Sequence, residues 1–287
     1  MGFPDRCAVH FVIDCSDRRN EFLFDALKDE GYAVSRLGDR DQGSGVRESE
    51  GGYLTKLESQ FTIHNPQSTK IFLFAPSAEL SGRDAARIPA HSRVFCTRCS
   101  EEVADALTQK GAVLHYYFDD ELLAMKNAYF TAEGALAAII LKTDRSVKDM
   151  RALVLGGGRV GKSVAKLLHD NRCNVFVATR DAKEYAYASI FSDGVYLFED
   201  FKARVHEFDL IVNTVPKVIL TGDTLERVKK DCLILDLASK PGGVDFARAA
   251  ELGLCTAHEL GIPGKTAPRS AGLAIKDSVL KILGLLH

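Results

Sequence analysis

Ala152-Leu153-Val154-Leu155-Gly156-Gly157-Gly158-Arg159-Val160-Gly161 joins a short apolar run to a glycine-rich turn near the middle of the chain. Apolar residues at helical spacing follow (Val164, Ala165, Leu167, Leu168), then a second apolar run from Asn174 to Ala178 that ends in Thr179-Arg180. Strand, glycine turn, helix and strand in this order form a dinucleotide-binding unit. Gly156 permits the tight turn, Gly158 lets the backbone approach a pyrophosphate, and Gly161 lets the helix pack closely on the strand. The N–H groups at the head of the helix, over Arg159, Val160 and Gly161, then face the phosphates with the positive end of the helix dipole. A bare glycine turn is the alternative, but it does not account for the strand before, the helix after and the second strand at the right distance.

The end of the second strand bears on which dinucleotide is bound. An NAD site usually carries Asp or Glu there, to accept hydrogen bonds from the ribose 2′-OH. This chain has Thr179 and Arg180. A hydroxyl and a guanidinium can bind a 2′-phosphate that a carboxylate would repel, so the expected cofactor is NADP. The competing reading makes Arg180 a solvated loop residue and gives the ribose to Asp181.

The chain has 287 residues, enough for two domains. A formal net charge of −2 gives no footprint for nucleic acid or an anionic membrane surface. No apolar run approaches the roughly 20 residues of a membrane span, and Met1 to Arg6 lacks the basic start and apolar core of a signal peptide. The 7 cysteines are odd in number and scattered, several in strand-like runs, which suits buried thiols in a reducing cytoplasm. Cys96-Thr97-Arg98-Cys99 reads as half a zinc site, a redox pair or an incidental pair; no second CxxC completes a zinc spacing.

Strand and helix signals alternate through the first half as well. Ala8–Ile13, Tyr32–Leu37, Lys70–Ala75, Arg93–Cys96 and Ala112–Tyr117 read as strands, Glu21–Lys28 and Glu101–Gln109 as helices, and Gly38–Gly52 as a polar loop. The first turn, Asp14-Cys15-Ser16-Asp17-Arg18, is not glycine-rich, so nucleotide belongs to the second half. The fold class expected is α/β, with two doubly wound domains: an N-terminal flavodoxin-like one and a C-terminal Rossmann NAD(P)-binding one. Residues 1–118 form the substrate-side domain and 119–145 a connecting helix. Residues 146–265 form the Rossmann domain, and 266–287 a closing helix that returns to the first. The connecting helix is expected to place Asn127–Ala135 at the lip of the cleft between domains.

Beyond the dinucleotide unit, strand-like Asp209–Asn213, Leu233–Asp236 and Leu254–Ala257 each lead into an unusual turn. These turns are Asn213-Thr214-Val215-Pro216, Ala238-Ser239-Lys240-Pro241-Gly242-Gly243 and Gly261-Ile262-Pro263-Gly264-Lys265. In a doubly wound sheet the carboxyl ends of the strands face the ligand, so Asn213 to Pro216 should line the nicotinamide-ribose side. His258 there reads as a general base or as a framework histidine, and Asp236 as an anchor for turns.

Five stretches resemble the A-subunit family of dipicolinate synthase: Tyr129–Ala135 (YFTAEGA), Leu155–Gly161 (LGGGRVG), Asp209–Pro216 (DLIVNTVP), Leu235–Phe246 (LDLASKPGGVDF) and Gly261–Gly272 (GIPGKTAPRSAG). The resemblance covers roughly residues 119 to 280. The first domain departs from it: Asp14-Cys15-Ser16 stands where the family has a GGD-type turn, and Ala75-Pro76-Ser77-Ala78 is all that remains of a proline-rich turn. The resemblance implies an NADP-dependent oxidoreductase that works with the flavoprotein-like B subunit of dipicolinate synthase. Together they would oxidise dihydrodipicolinate to pyridine-2,6-dicarboxylate in the mother-cell cytoplasm of a spore former. For such a dicarboxylate the candidate cations are Lys240, Lys265 and Arg269, with Ser239 beside them, all otherwise readable as surface residues of proline- and glycine-rich loops. Glu133 is then the proton acceptor, an orienting partner of a lysine or a structural ion pair. No metal, nucleic-acid or membrane partner is expected, and a homo-oligomer is left open. A 2-hydroxyacid or shikimate-type dehydrogenase and a non-catalytic NADP-binding regulator are the competing readings.

Overall fold

Alternating buried strands and capped helices build two parallel sheets, seen in a computed structural model that describes residues 9–37 and 69–286. The loop expected over Gly38–Gly52, and Met1–Arg6, Cys7 and Ala8, lie outside the described residues. The chain divides into two compact units, Met1–Ala124 with Pro268–His287, and Met125–Ala267.

In the first unit the strands are β1 (Val9–Ile13), β2 (Ala33–Arg36), β3 (Thr69–Leu73), β4 (Arg93–Cys96) and β5 (Val113–Tyr116). They pair in parallel in the order β2-β1-β3-β4-β5, the flavodoxin-like order. Helices α1 (Arg18–Asp29), α2 (Gly82–Arg87) and α3 (Glu101–Gln109) each begin at a side-chain cap, from Asp17, Ser81 and Ser100 respectively. Phe11, Phe72 and Phe95 are buried in the sheet, and each such side chain stabilises the fold by about 1.5–3 kcal/mol. Tyr117 is wholly buried among them, which is tolerable because its hydroxyl donates to the Phe74 carbonyl at 2.9 Å.

Helix α4 (Glu121–Lys142) carries the chain into the second unit. There β6 (Arg151–Leu155), β7 (Asn174–Thr179), β8 (Gly194–Leu197), β9 (Leu210–Asn213), β10 (Leu233–Asp236) and β11 (Cys255–His258) form a parallel sheet ordered β11-β10-β9-β6-β7-β8. Numbered within the unit, this is the 3-2-1-4-5-6 order of dinucleotide-binding folds. The alternation along β6 explains both layers. Ala152 and Val154 face a core with Ala135 and Ile139 of α4 and with Val164 and Leu168 of α5 (Arg159–Asp170). Leu153 and Leu155 face the opposite core, with Phe201, Phe208 and Leu225. A sheet covered on both faces needs such continuous apolar strands. Four short helices, α6 (Ala182–Ala188), α7 (Gly222–Leu225), α8 (Phe246–Glu251) and α9 (Ile262–Thr266), complete this unit. The last helix, α10 (Pro268–Ile282), belongs to the first unit, where Ser278 donates to Asp120 at 2.7 Å. No helix among the described residues is long and apolar enough to cross a membrane.

Candidate functional site

Strand order reverses between β6 and β9, which are hydrogen-bonded neighbours, and the glycine turn leaves β6 at this point. Gly156 has φ +101°, a conformation open to glycine, and its N–H donates to the Ala178 carbonyl at 2.9 Å. A Cβ on Gly161 would stand 2.0 Å from the Gly156 carbonyl oxygen, so α5 can approach the turn only without a side chain there. Gly158 differs. Its φ of −68° is ordinary, and a Cβ would meet only Glu184 Oε1, at 3.8 Å. The space over Gly158 is therefore open. Gly158 caps α5 with no side-chain hydrogen bond, and the first N–H groups of a helix have no acceptor within it. Open space beside an uncapped helix head fits the pyrophosphate of a dinucleotide.

The end of β7 holds a group that the sequence reading missed. Thr179 is buried, and its hydroxyl donates to Glu184 Oε2 at 2.5 Å while accepting from the Asp181 N–H at 3.2 Å. Gly157 N–H donates to the same Glu184 oxygen at 3.1 Å. Asp181 caps α6, accepting from the Lys183 and Glu184 N–H groups at 2.8 and 2.9 Å, and these hold its carboxyl below the usual range. Arg180 is exposed. The sequence signal for Glu184 was the pair Asp181-x-x-Glu184 at a helix start, which normally reads as a capping box. Here the glutamate turns instead toward the glycine loop.

Next to the glycine turn, Thr214 donates its hydroxyl to the Leu155 carbonyl at 2.8 Å, and the Val215 side chain lies 3.1 Å from where a Gly156 Cβ would be. Asn213 is fully buried and donates to Asp236 Oδ1 at 2.7 Å and to the Val215 carbonyl at 3.0 Å. Asp236, also fully buried, further accepts from Ala238 N–H at 3.0 Å and Gly243 N–H at 2.7 Å. This carboxylate ties the turn after β10 to the end of β9. The turn wraps it so tightly that a Cβ on Gly242 (φ +91°) would stand 2.6 Å from Asp236 Oδ2, and one on Gly243 2.2 Å from Asn213 Nδ2. Pro216, Ser239 and Lys240 are exposed at the rim. His258 donates from Nε2 to the Ala238 carbonyl at 2.8 Å and stacks on Phe246, the framework arrangement.

Lys265, on α9, lies 3.5 Å from Glu259, which also pairs with Lys142 at 3.5 Å. A Cβ on Gly134 of α4 would stand 2.1 Å from Ile262, so α9 rests directly on that helix. Glu133 beside it is exposed and makes no ion pair among the described residues; Lys240 likewise makes none. Arg269 is exposed in the first turn of α10, in the first unit. Glycine turn, Thr214 and Val215 are thus brought together, with Thr179 joined to them through Glu184, whereas among the described residues no ion pair joins Glu133 to Lys240 or Lys265, the latter pairing with Glu259.

The turns after β1 and β3 of the first unit also meet. Asp14 accepts from Ala75 N–H at 3.2 Å, and Asp17 accepts from Ser77 at 2.7 Å and from Arg19 Nη2 at 2.6 Å. Burial works to raise the Asp17 carboxyl, but the hydrogen bonds from Arg19 and Ser77 outweigh it and hold it at about 2. Cys99 lies 3.3 Å from the Tyr116 hydroxyl, and burial pushes the Cys96 thiol up to about 12.

Comparison with known proteins bears on this geometry. Residues 135–250 match the shikimate/quinate 5-dehydrogenase family. The A subunit of dipicolinate synthase from Bacillus subtilis (strain 168) is 30% identical over 197 residues, which span 69% of this chain and 66% of that protein. This chain belongs to the A-subunit family of dipicolinate synthase. The crystal structure of the A subunit of dipicolinate synthase from Bacillus halodurans superimposes with a TM-score of 0.79 at 23% identity, covering 98% of this chain and 99% of that one. The Bacillus subtilis A chain gives 0.79 at 24% identity, covering 96% of each. The two parallel-sheet α/β domains are those of this family, and the matched dehydrogenase model identifies a dehydrogenase-type, nicotinamide dinucleotide-binding fold.

Proposed function

We propose that this chain is the dehydrogenase component of a dipicolinate synthase, oxidising dihydrodipicolinate to pyridine-2,6-dicarboxylate. The observation that carries the reading is the open face of Gly158 at the switch point, in a chain whose family resemblance is densest in LDLASKPGGVDF and GIPGKTAPRSAG. When bound, the nicotinamide supplies the hydride acceptor. The chemistry asks little else of the protein, because loss of hydride and a proton leaves an aromatic ring. What remains is orientation and charge. Ser239 and Lys240, on the turn anchored by Asp236, and Lys265, whose pairing with Glu259 is half solvated, would hold the carboxylates, with Arg269 as a further cation. Glu133, exposed on α4, or water would take the proton. Arg159, Val160 and Gly161 offer N–H groups to the pyrophosphate, while Asn213 to Pro216 border the nicotinamide side.

NADP is the form that Arg180 supports; Thr179, expected to assist, has its hydroxyl committed to Glu184. A partner, the flavoprotein-like B subunit, completes the enzyme, and the work belongs to the mother-cell cytoplasm during sporulation. The test is turnover by the purified chain, alone and with the candidate partner, on dihydrodipicolinate, 2-hydroxy acids and shikimate, read as reduced nicotinamide. Oxidation of dihydrodipicolinate that requires the partner is expected. Preference for shikimate or a 2-hydroxy acid overturns the substrate; no cofactor binding at all overturns the reading.

A further inference from the structure

Three polar groups surround the place where a dinucleotide fold receives the adenosine ribose: Thr179 at the end of β7, Asp181 at the start of α6, and Glu184 one turn on. Two are already used. The Thr179 hydroxyl accepts from Asp181 N–H and donates to Glu184, and Asp181 caps α6. Glu184 is the carboxylate that reaches the glycine turn. Its Oε2 is fixed by Gly157 N–H at 3.1 Å and by Thr179 at 2.5 Å, while Oε1 lies 3.8 Å from the position a Gly158 Cβ would take. One oxygen is thus anchored, and the other borders the open space over Gly158.

An acid at the end of the second strand normally accepts the ribose hydroxyl of NAD. Here that strand end carries Thr179, and the carboxylate arrives from the following helix instead. The geometry points to Glu184 as the acceptor of the ribose hydroxyls, acting against Arg180 at the 2′ position, so that the opposition of these two side chains sets the choice between NAD and NADP. The inference rests on the dinucleotide occupying the glycine turn. A hydroxyl at the 2′ position is a donor that Oε1 can accept. A 2′-phosphate brings like charge against a carboxylate that Gly157 and Thr179 hold in place, and the exposed Arg180 is the cation that offsets it.

The test is titration calorimetry of NAD and NADP against the whole chain and three variants: Glu184→Gln, Glu184→Ala and Arg180→Ala. Gln keeps an oxygen to accept from Gly157 and Thr179, so it removes the charge and preserves the anchor. In Glu184→Gln the ratio of NADP to NAD affinity should rise by about tenfold or more, the scale of a hydrogen bond to a charged group. NAD weakens and NADP holds or tightens. Glu184→Ala should move the ratio the same way, and Arg180→Ala should move it in the opposite direction. An unchanged ratio in Glu184→Gln overturns the inference, and so does an equal loss of both cofactors, which would make Glu184 a prop for the turn. A parent chain that binds neither dinucleotide removes the glycine-turn reading itself, a result separable from an unaltered ratio.

Discussion

Replacing Gly158 by valine separates the shape of the glycine turn from its task. The backbone there is extended, with φ −68° and ψ −171°, so a side chain costs no left-handed strain. A Cβ meets nothing nearer than 3.8 Å. The cost of folding is then the loss of glycine as helix cap, set against the lower entropy of the unfolded chain, two effects of about 1 kcal/mol or less that oppose each other. The melting temperature should stay within about 4 °C of the parent's. Binding is another matter. A valine side chain fills the space above the helix head and separates the pyrophosphate from at least two N–H donors, each worth about 1.5–3 kcal/mol to a charged group. The loss of about 3–6 kcal/mol corresponds to roughly a hundredfold or more in affinity. Gly161→Ala is the control: its Cβ falls 2.0 Å from a backbone oxygen, so it should destabilise the unit itself. Calorimetric titration with dinucleotide and a thermal melt of each variant measure both quantities. A Gly158→Val protein that binds with parental affinity would refute the placement of the cofactor; one that unfolds would show that the space is not open.

The remaining expectations concern charges and thiols. Because the folded Asp17 carboxyl is held at about 2, below its unfolded value, its stabilisation is present above pH about 4 and disappears as the pH falls through 2. Asp17→Asn should narrow the stability gap between neutral and acid pH, and identical acid-unfolding profiles for parent and variant would sink the assignment. Lys240→Met and Lys265→Met should each cost about 1.5–3 kcal/mol in kcat/KM for the dicarboxylate with little change in dinucleotide affinity, and unchanged kinetics would return both to the solvated surface. Among the described cysteines only Cys255 is exposed, whereas burial pushes Cys96, Cys173 and Cys232 to about 12. A thiol reagent followed by peptide mass mapping should label Cys255 in the folded protein and those three only after unfolding.

The two sheets were legible because their strands are short apolar runs between turn residues, and burial on both faces leaves nothing else such runs can do. β4, β10 and α3 fall at the expected residues. What escaped was weakly apolar or short. β8 is an edge strand, only partly buried, and Gly194-Val195-Tyr196-Leu197 carries no alternation to betray it. α2 is six residues held by a capping box at Ser81 and Asp84, a local signal with almost no apolar face behind it. Glu184 was hidden for a different reason. Local spacing places it in a helix start, but its partner Gly157 lies on another strand's turn, and only the packing of α6 beside the sheet brings the two together. Asp236 was readable as an anchor, since a buried acid after a strand needs donors and the following turn is rich in them.

Asp236 also limits how this part of the chain can vary. Its carboxylate takes hydrogen bonds from Asn213, Ala238 and Gly243, and both glycines of the turn sit where any side chain would strike Asp236 or Asn213. A change at any one of Asn213, Asp236, Gly242 or Gly243 strands a buried partner or forces a clash, so the single changes are costly while a concerted set need not be. These positions form one mutually dependent block, spread over two strand ends and a turn within residues 213–243. Lys240 and Ser239, exposed on the same turn, carry no such obligation. Ser239 and Lys240 can therefore be exchanged one at a time while the backbone that presents them is kept intact.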